Sequence, residues 1–202
     1  MPQTSSPDAR HPVQTQPVTE GFTLFDTALG ACGIAWSNSA LTGVQLPESD
    51  ALATRARMRR RFSEAREVGP ESAPPPFVAR ALRDIAALLG GEPNEPRDLS
   101  NLLLDWTGVP PFHRRVLELA RTIAPGQTMT YGEVATRLGE PGAARAVGQA
   151  LGHNPFAPVV PCHRVLAAGS ASGGFSANGG VTTKLRMLLT ERAAFGAPGL
   201  FD

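Results

Sequence analysis

Cysteine, tyrosine and tryptophan are scarce in this 202-residue sequence, which has two, one and two of them. Two cysteines, Cys32 and Cys162, are too few for a disulfide-stabilised scaffold, and neither has the CxxC spacing of a zinc site. No apolar run reaches the roughly 18 residues that a membrane-spanning helix needs. The amino terminus lacks the basic and then apolar pattern of a secretory signal. We therefore expect a cytoplasmic protein, without a metal, a cofactor or a membrane partner.

Charge is unevenly distributed along the chain. Residues 108–202 carry nine basic and five acidic side chains, a net charge of +4, whereas residues 1–107 carry ten and 13, a net charge of −3. The second half is therefore the better candidate for contact with a polyanion.

Composition divides the chain into a tail and two domains. Residues 1–18 are rich in Pro, Ser, Thr and Gln and predict a disordered tail. Residues 19–107 predict an N-terminal α/β domain, in which runs at 22–27, 32–37 and 41–46 form an antiparallel meander. Helices are predicted at 51–65 and 77–89, a linker at 68–76 and a further strand at 102–106.

The predicted C-terminal domain, residues 108–202, is mostly helical, so the fold class is mixed α+β. Apolar residues at helical spacing predict a helix over 112–123, and Thr130 with Glu133 forms a T-x-x-E capping box for the next one. A helix over 141–151 completes a helix-turn-helix pattern. A short buried strand at 159–160, a loop over 169–180 and a final helix over 181–194 follow. The small residues of the 141–151 helix suit either tight helix packing or close approach to a nucleic-acid groove.

Five arginines between Arg55 and Arg61 form a dense basic run. A solvated helix face is the usual explanation of such a run, and a patch that approaches DNA is the alternative.

Cys162 is followed directly by His163, which makes it a candidate nucleophile. A free thiol is mostly protonated at neutral pH, so it needs a base or a positive environment. His163 can serve as that base through a water, and Glu191 on the last helix could orient it. A buried structural cysteine is the alternative, and it is the interpretation that we prefer for Cys32.

The residues around Cys162 resemble the O6-alkylguanine-DNA alkyltransferase family. Residues 161–165 read PCHRV, a core that is highly specific to this family, with Asn154-Pro155 before it and a glycine-rich loop and a glutamate-bearing helix after it. Thr130-Tyr131 is similar to the start of the family's helix-turn-helix, and residues 143–148 are similar to its recognition helix. The resemblance is strong over roughly 108–194 and faint over 20–106, where it implies a ribonuclease-H-like domain.

The resemblance implies roles for the reacting residues. Cys162 is the nucleophile and final alkyl acceptor, and His163 is the water-mediated base that Glu191 orients. Asn154 supports the turn that presents the site, while Tyr131 helps to rotate the target nucleotide and donates a proton to the departing guanine.

The resemblance also implies how the chain contacts DNA. Arg145 fills the gap that the extruded base leaves, and the small residues of the recognition helix allow minor-groove docking. Extrusion is required because a base inside a duplex cannot offer its O6 substituent to the thiol. The expected DNA-contacting residues are Arg145, Tyr131, Thr130, Ala144 and Gly148, and the expected guanine-pocket residues are Val165, Phe175 and Ser176.

The implied activity is direct, single-turnover transfer of an alkyl group from O6-alkylguanine, and from O4-alkylthymine, to Cys162. The partner is double-stranded DNA, and a monomer that associates with the bacterial nucleoid is expected. Phe175 replaces a tyrosine that is common in the family, and residues 177–178 look inserted in the pocket loop. A damage-sensing binding module, a Cys/His thiol hydrolase and a transcription factor remain the alternatives.

Overall fold

Three antiparallel strands and one short parallel strand form the sheet of the N-terminal half. In this computed structural model, which describes residues 19–69, 71–90, 99–169 and 173–193, the strands are β1 (Gly21–Thr27), β2 (Gly30–Trp36), β3 (Leu41–Gln45) and β4 (Arg66–Glu67). Their order is β3-β2-β1-β4, with β4 parallel to β1. The predicted meander is confirmed, whereas β4 was not predicted because two residues carry no periodicity. The predicted tail lies outside the described residues.

Two helices cover opposite faces of this sheet. Helix α1 (Ala51–Arg61) begins at Asp50, whose carboxylate accepts from the amide of Ala53 at 2.8 Å. It packs closely on β2, because a β-carbon at Gly33 would lie 2.6 Å from Met58. Helix α2 (Pro76–Gly90) buries an apolar stripe in the main core, formed by Val78, Ala81, Ile85, Leu88 and Leu89.

The second half is built from four helices and one small parallel ladder in its described residues. The helices are α3 (Pro111–Arg121), α4 (Tyr131–Arg137), α5 (Ala144–Gly152) and α6 (Gly180–Thr190). Strand β5 (Met129–Thr130) pairs in parallel with β6 (Val165–Leu166), directly after a 3-10 turn at Cys162–Arg164. This ladder fixes the turn against the start of α4.

Two predicted strands are wrong. Residues 102–106 form only an isolated bridge between Leu104 and Leu41, because the chain then turns where the amide of Thr107 donates to Asp105. Residues 159–160 form a buried turn, since the amide of Val160 donates to the carbonyl of Phe156, four residues before it. Three helix bounds differ by three residues or more: α1 ends at Arg61, α5 begins at Ala144 and α6 ends at Thr190.

Most of the arginine run on α1 is bound within the protein. Arg55 and Arg59 both pair with Glu67, and Arg57 pairs with Glu48. Arg61 donates to the carbonyl of Pro155 at 3.0 Å. These contacts favour a structural role for four of the five arginines over a basic patch free to meet DNA.

The two halves meet at the edge of β3. The amide of Val44 donates to the carbonyl of Pro155 at 2.9 Å, the same oxygen that Arg61 binds. The N-terminal sheet therefore holds the segment that leads to Cys162. Within the described ranges, no helix has the length and apolar character needed to cross a membrane.

Candidate functional site

Cys162 begins the 3-10 turn at the end of a buried segment and is only 8% exposed. Its amide donates to the carbonyl of Val160 at 2.8 Å, and the amide of Arg164 donates to the carbonyl of Pro161. The side chains of Cys162 and His163, which form the first two residues of this turn, are both buried.

Asn154 supports this turn from the end of α5. Its Nδ2 donates to the carbonyl of Val160 at 2.8 Å, and its Oδ1 accepts from the amide of Phe156 at 2.9 Å. The Asn154 side chain also acts to lower the pKa of the Cys162 thiol. A single amide therefore links the α5 terminus to the acceptor loop.

Burial raises the pKa of the Cys162 thiol above its ordinary value, because the thiolate loses solvation. The Asn154 hydrogen bond, the charge of Lys184 and backbone amides act in the opposite direction. The resting cysteine is thus a protonated thiol in surroundings that stabilise the thiolate once a base removes the proton.

A buried carboxylate connects His163 with Arg164. Glu191 Oε1 lies 2.8 Å from His163 Nε2, and both Glu191 oxygens accept from the Arg164 guanidinium at 2.8 Å. Arg164 also donates to the carbonyl of Ile123 at 2.6 Å. Burial works against ionisation of Glu191, but the hydrogen bonds from His163 and Arg164 prevail and lower its pKa to about 2. Glu191 is therefore an anion that fixes the imidazole.

The second ring nitrogen of His163 is left for chemistry. Nδ1 is buried and has no hydrogen-bond partner within the described part of the chain. Burial lowers the pKa of His163, although Glu191 opposes this effect. The ring is accordingly neutral at neutral pH, with a nitrogen able to take a proton.

Tyr131 is half-buried at the start of α4, beside the acceptor site. The predicted capping box is present: the Thr130 hydroxyl accepts from the amide of Glu133 at 3.1 Å. The Tyr131 hydroxyl donates to the carbonyl of Gly174, and a β-carbon at Gly148 would lie 3.8 Å from the ring. Burial and the neighbouring Cys162 raise the pKa of Tyr131, which keeps the hydroxyl protonated.

The predicted DNA-contacting residues lie at the start of α4 and on the first half of α5. Arg145 is exposed in the first turn of α5, next to Ala144, while Val147, Ala150 and Leu151 form the buried face of that helix. The exposed side of α5 therefore combines a cation with small side chains. Thr130 is occupied with the capping box, so its hydroxyl serves the helix end.

A cavity of about 100 Å³ opens beside Cys162. Phe175, Ser176, Ala177 and Asn154 are among the residues that line it. Val165 is fully buried on β6 rather than on the cavity wall; its carbonyl accepts from Lys184. Phe175 and Ser176 thus line a cavity beside Cys162 and Val165 does not, and the guanine contacts of all three stay a prediction.

Lys184 is a site residue that the sequence analysis missed. Its ammonium is fully buried, donates to the carbonyl of Val165 at 2.7 Å and lies 5.7 Å from the centre of the Tyr131 ring. Burial lowers its pKa to about 8, although Cys162 acts to raise it. A signal was available: it is the only lysine in the chain, and it lies in the apolar stripe of the last helix with Val181 and Leu188.

Cys32 lies on β2, away from this site. It is fully buried, and burial raises the pKa of its thiol to about 12. A packing role fits both observations.

The site therefore combines a buried cysteine that has a histidine base with a neighbouring pair of helices, the second of which exposes Arg145. Residues 111–193 match the family described as the 6-O-methylguanine DNA methyltransferase DNA-binding domain. A methylated-DNA–protein-cysteine methyltransferase of Mycolicibacterium paratuberculosis is 41% identical over 143 residues, which cover 71% of this chain and 82% of the relative. A methylated-DNA–protein-cysteine methyltransferase of Methanothermobacter thermautotrophicus is 34% identical over 159 residues, which cover 79% of this chain and 78% of the relative.

Solved structures agree with this assignment. The O6-methylguanine methyltransferase of Mycobacterium tuberculosis superposes with a TM-score of 0.64 at 33% identity, covering 90% of this chain and 99% of that one. The structure of M. tuberculosis OGT in complex with DNA gives a TM-score of 0.66 at 31% identity, covering 85% and 92%. The chain belongs to the methylated-DNA–protein-cysteine methyltransferase family.

Proposed function

We propose that this protein repairs DNA by moving the alkyl group of O6-alkylguanine, and of O4-alkylthymine, irreversibly onto Cys162. The observation that carries the proposal is the arrangement of His163: one ring nitrogen is held by Glu191 and the other is free. Such a buried, oriented and neutral imidazole is what a protonated thiol needs as its base.

In the proposed reaction, the Cys162 proton passes through one water to His163 Nδ1. The sulfur then attacks the alkyl carbon, a carbon–sulfur bond forms, and the bond between that carbon and O6 breaks with its electron pair going to the purine. Tyr131, whose raised pKa keeps its hydroxyl protonated until the purine becomes basic, donates a proton to the departing guanine. Proton exchange with solvent then restores the neutral forms of Tyr131 and His163. Lys184 and Asn154 stabilise the thiolate before attack. The thioether has no second nucleophile to release it, so each molecule acts once.

We also propose that α4 and α5 form a helix-turn-helix that docks a monomer in the minor groove of double-stranded DNA. Six residues, 138–143, separate the two helices, and Arg145 is exposed at the start of the second. In this arrangement Arg145 occupies the gap left by the flipped base, and Ala144 and Gly148 let the helix approach the backbone. The N-terminal unit is proposed to be ribonuclease-H-like, as its small sheet between two helices suggests.

The proposal is tested by peptide mass spectrometry after mixing the protein with duplex DNA that contains one O6-methylguanine. We expect a stoichiometric gain of one methyl group on the Cys162 peptide, retained in Cys32→Ala and lost in Cys162→Ala. Lesion-specific binding without modification of Cys162 would instead indicate a damage sensor. Repeated turnover on an ester substrate would indicate a thiol hydrolase.

A further inference from the structure

The cavity beside Cys162 has a wall from the N-terminal half as well as from the C-terminal half. Besides Phe175 and Ser176 it is lined by Gln45, at the end of β3, and by Glu48 and Arg57, the last of these on α1. The family-matched residues begin only at 111, so this wall lies outside them. At about 100 Å³ the cavity can hold a short chain attached to the alkyl carbon, and such a chain would lie among these lining residues.

The three polar side chains of this wall hold one another in place. Arg57 Nε donates to Gln45 Oε1 at 2.9 Å, and Arg57 Nη1 lies 3.1 Å from Glu48 Oε1. Gln45 Nε2 donates to the same Glu48 oxygen at 3.1 Å and to the carbonyl of Leu46 at 3.0 Å. A guanidinium held at two of its three nitrogens loses little further side-chain entropy when the third binds a ligand.

Arg57 differs in this respect from its neighbours on α1. Arg55 and Arg59 pair with Glu67 and do not line the cavity, and Arg61 is bound to Pro155. Among the described residues, Arg57 Nη2 is paired with no acceptor, and Arg57 lines the cavity, so this nitrogen is available to a ligand.

We propose that Arg57, held by Gln45 and Glu48, is a specificity-determining residue that favours transferred alkyl groups ending in a hydrogen-bond acceptor over apolar groups of the same length. This inference rests on the proposed transfer to Cys162. A terminal hydroxyl can accept from the guanidinium, and a hydrogen bond from a charged donor is stronger than a neutral one. A terminal methyl group would instead displace water from an ion pair without replacing its hydrogen bonds, which is unfavourable.

The test uses two lesions of equal length in otherwise identical duplexes, O6-(2-hydroxyethyl)guanine and O6-propylguanine. Single-turnover rates of transfer to the full-length protein are measured for both, and their ratio is compared between wild type, Arg57→Met and Arg59→Met. Arg59 is the matched control, because it lies on the same helix, is also exposed and is paired with Glu67 away from the cavity.

We expect the wild type to favour hydroxyethyl, and Arg57→Met to lower the hydroxyethyl-to-propyl ratio about tenfold, the effect of one charge-assisted hydrogen bond. Arg59→Met should leave the ratio unchanged. An unchanged ratio in Arg57→Met, or an equal fall in Arg59→Met, would overturn the proposal. If circular dichroism shows that Arg57→Met is unfolded, the hydroxyethyl-to-propyl ratio is measured in Arg57→Gln instead, and the same fall is expected. Transfer of methyl by the wild type is measured alongside: its absence would refute the proposed function itself, separately from this inference.

Discussion

Gly173 lies so close to Tyr131 that a β-carbon at position 173 would approach the tyrosine ring to 2.9 Å. Its φ of +71° is also a conformation that side chains other than glycine adopt only with strain. Gly174, the next residue, has open space around it and accepts the Tyr131 hydroxyl through its carbonyl. A β-carbon would therefore collide with the Tyr131 ring at position 173 and meet no atom at position 174.

Gly173→Ala should displace Tyr131 and slow methyl transfer, with a loss of about 1 kcal/mol of folding free energy from backbone strain. Gly174→Ala is the matched control and should change neither. Tyr131 is the only tyrosine of the chain, so isotope-labelled tyrosine gives one NMR signal that reports its position. A Tyr131 signal that stays in place in Gly173→Ala would contradict the close contact.

Glu191→Gln should destabilise the fold by about 3 kcal/mol, because it leaves the Arg164 guanidinium buried without its counter-ion. The free energy of unfolding from urea titration checks this. Glu118→Gln serves as control: its exposed pair with Arg114 should be worth less than about 1 kcal/mol.

The free energy of unfolding should depend on pH differently in Glu191→Gln and in the wild type. The pKa of Glu191 falls on folding from 4.5 to about 2, so its stabilisation is complete above pH 4.5 and is lost as the pH falls towards 2. The stability of Glu191→Gln should therefore decline less steeply over this window than that of the wild type. Parallel curves for the two proteins would rule out the ionised Glu191 as the source.

His163→Gln should reduce the single-turnover rate about 100-fold or more, the usual effect of losing a general base. Lesion binding, measured by fluorescence anisotropy, should be retained because His163 is buried. His163 has a pKa lowered by burial, so the wild-type rate should persist at pH values below the ordinary histidine value of 6.5. His113→Gln, on α3, is the control and should react like the wild type; a similar loss in both would indicate a general effect on folding.

Lys184 can be titrated directly, because it is the only lysine in the sequence. NMR of a side chain labelled at Cε should give a pKa of about 8. In Cys162→Ser the pKa should be equal or lower, since only the thiolate of Cys162 acts to raise it. An ordinary value of 10.5 in both proteins would mean that the ammonium is not buried beside the sulfur.

Lys184→Met removes the charge that helps to lower the pKa of Cys162. The thiol should then deprotonate at higher pH, and the pH profile of methyl transfer should move upwards. Arg186→Met, two residues along α6 and exposed, is the control. If the pH profile of methyl transfer is unchanged in Lys184→Met, the role of Lys184 is limited to its hydrogen bond to the carbonyl of Val165.

Local signals were sufficient for much of this structure. The meander, the Thr130–Glu133 capping box and the apolar stripe of α2 follow from periodicity and capping, which depend on residues close in sequence. The motif around Cys162 located the candidate site for the same reason. The strand predicted at 159–160 was wrong, because two adjacent valines are equally compatible with a strand and with a buried turn held by Asn154.

Long-range contacts account for what was missed. Nothing in the arginine run reveals that Arg57 meets Gln45 and Glu48, since the pairing depends on how α1 lies on the sheet. The burial of Val165 behind the site depends likewise on pairing between β5 and β6. Lys184 was the exception, because its position in an apolar stripe was visible and was overlooked.

The carbonyl of Pro155, which receives donors from both Val44 and Arg61, limits how far this protein can be treated as modular. A truncated chain that kept only residues 111–193 would retain the acceptor, the base and the carboxylate, yet it would lose both donors to that oxygen. Grafting this reactive loop onto another scaffold would therefore require the edge of β3 as well. In a variant library, substitutions at the edge of β3 and substitutions in the loop around Pro155 should be tested in combination.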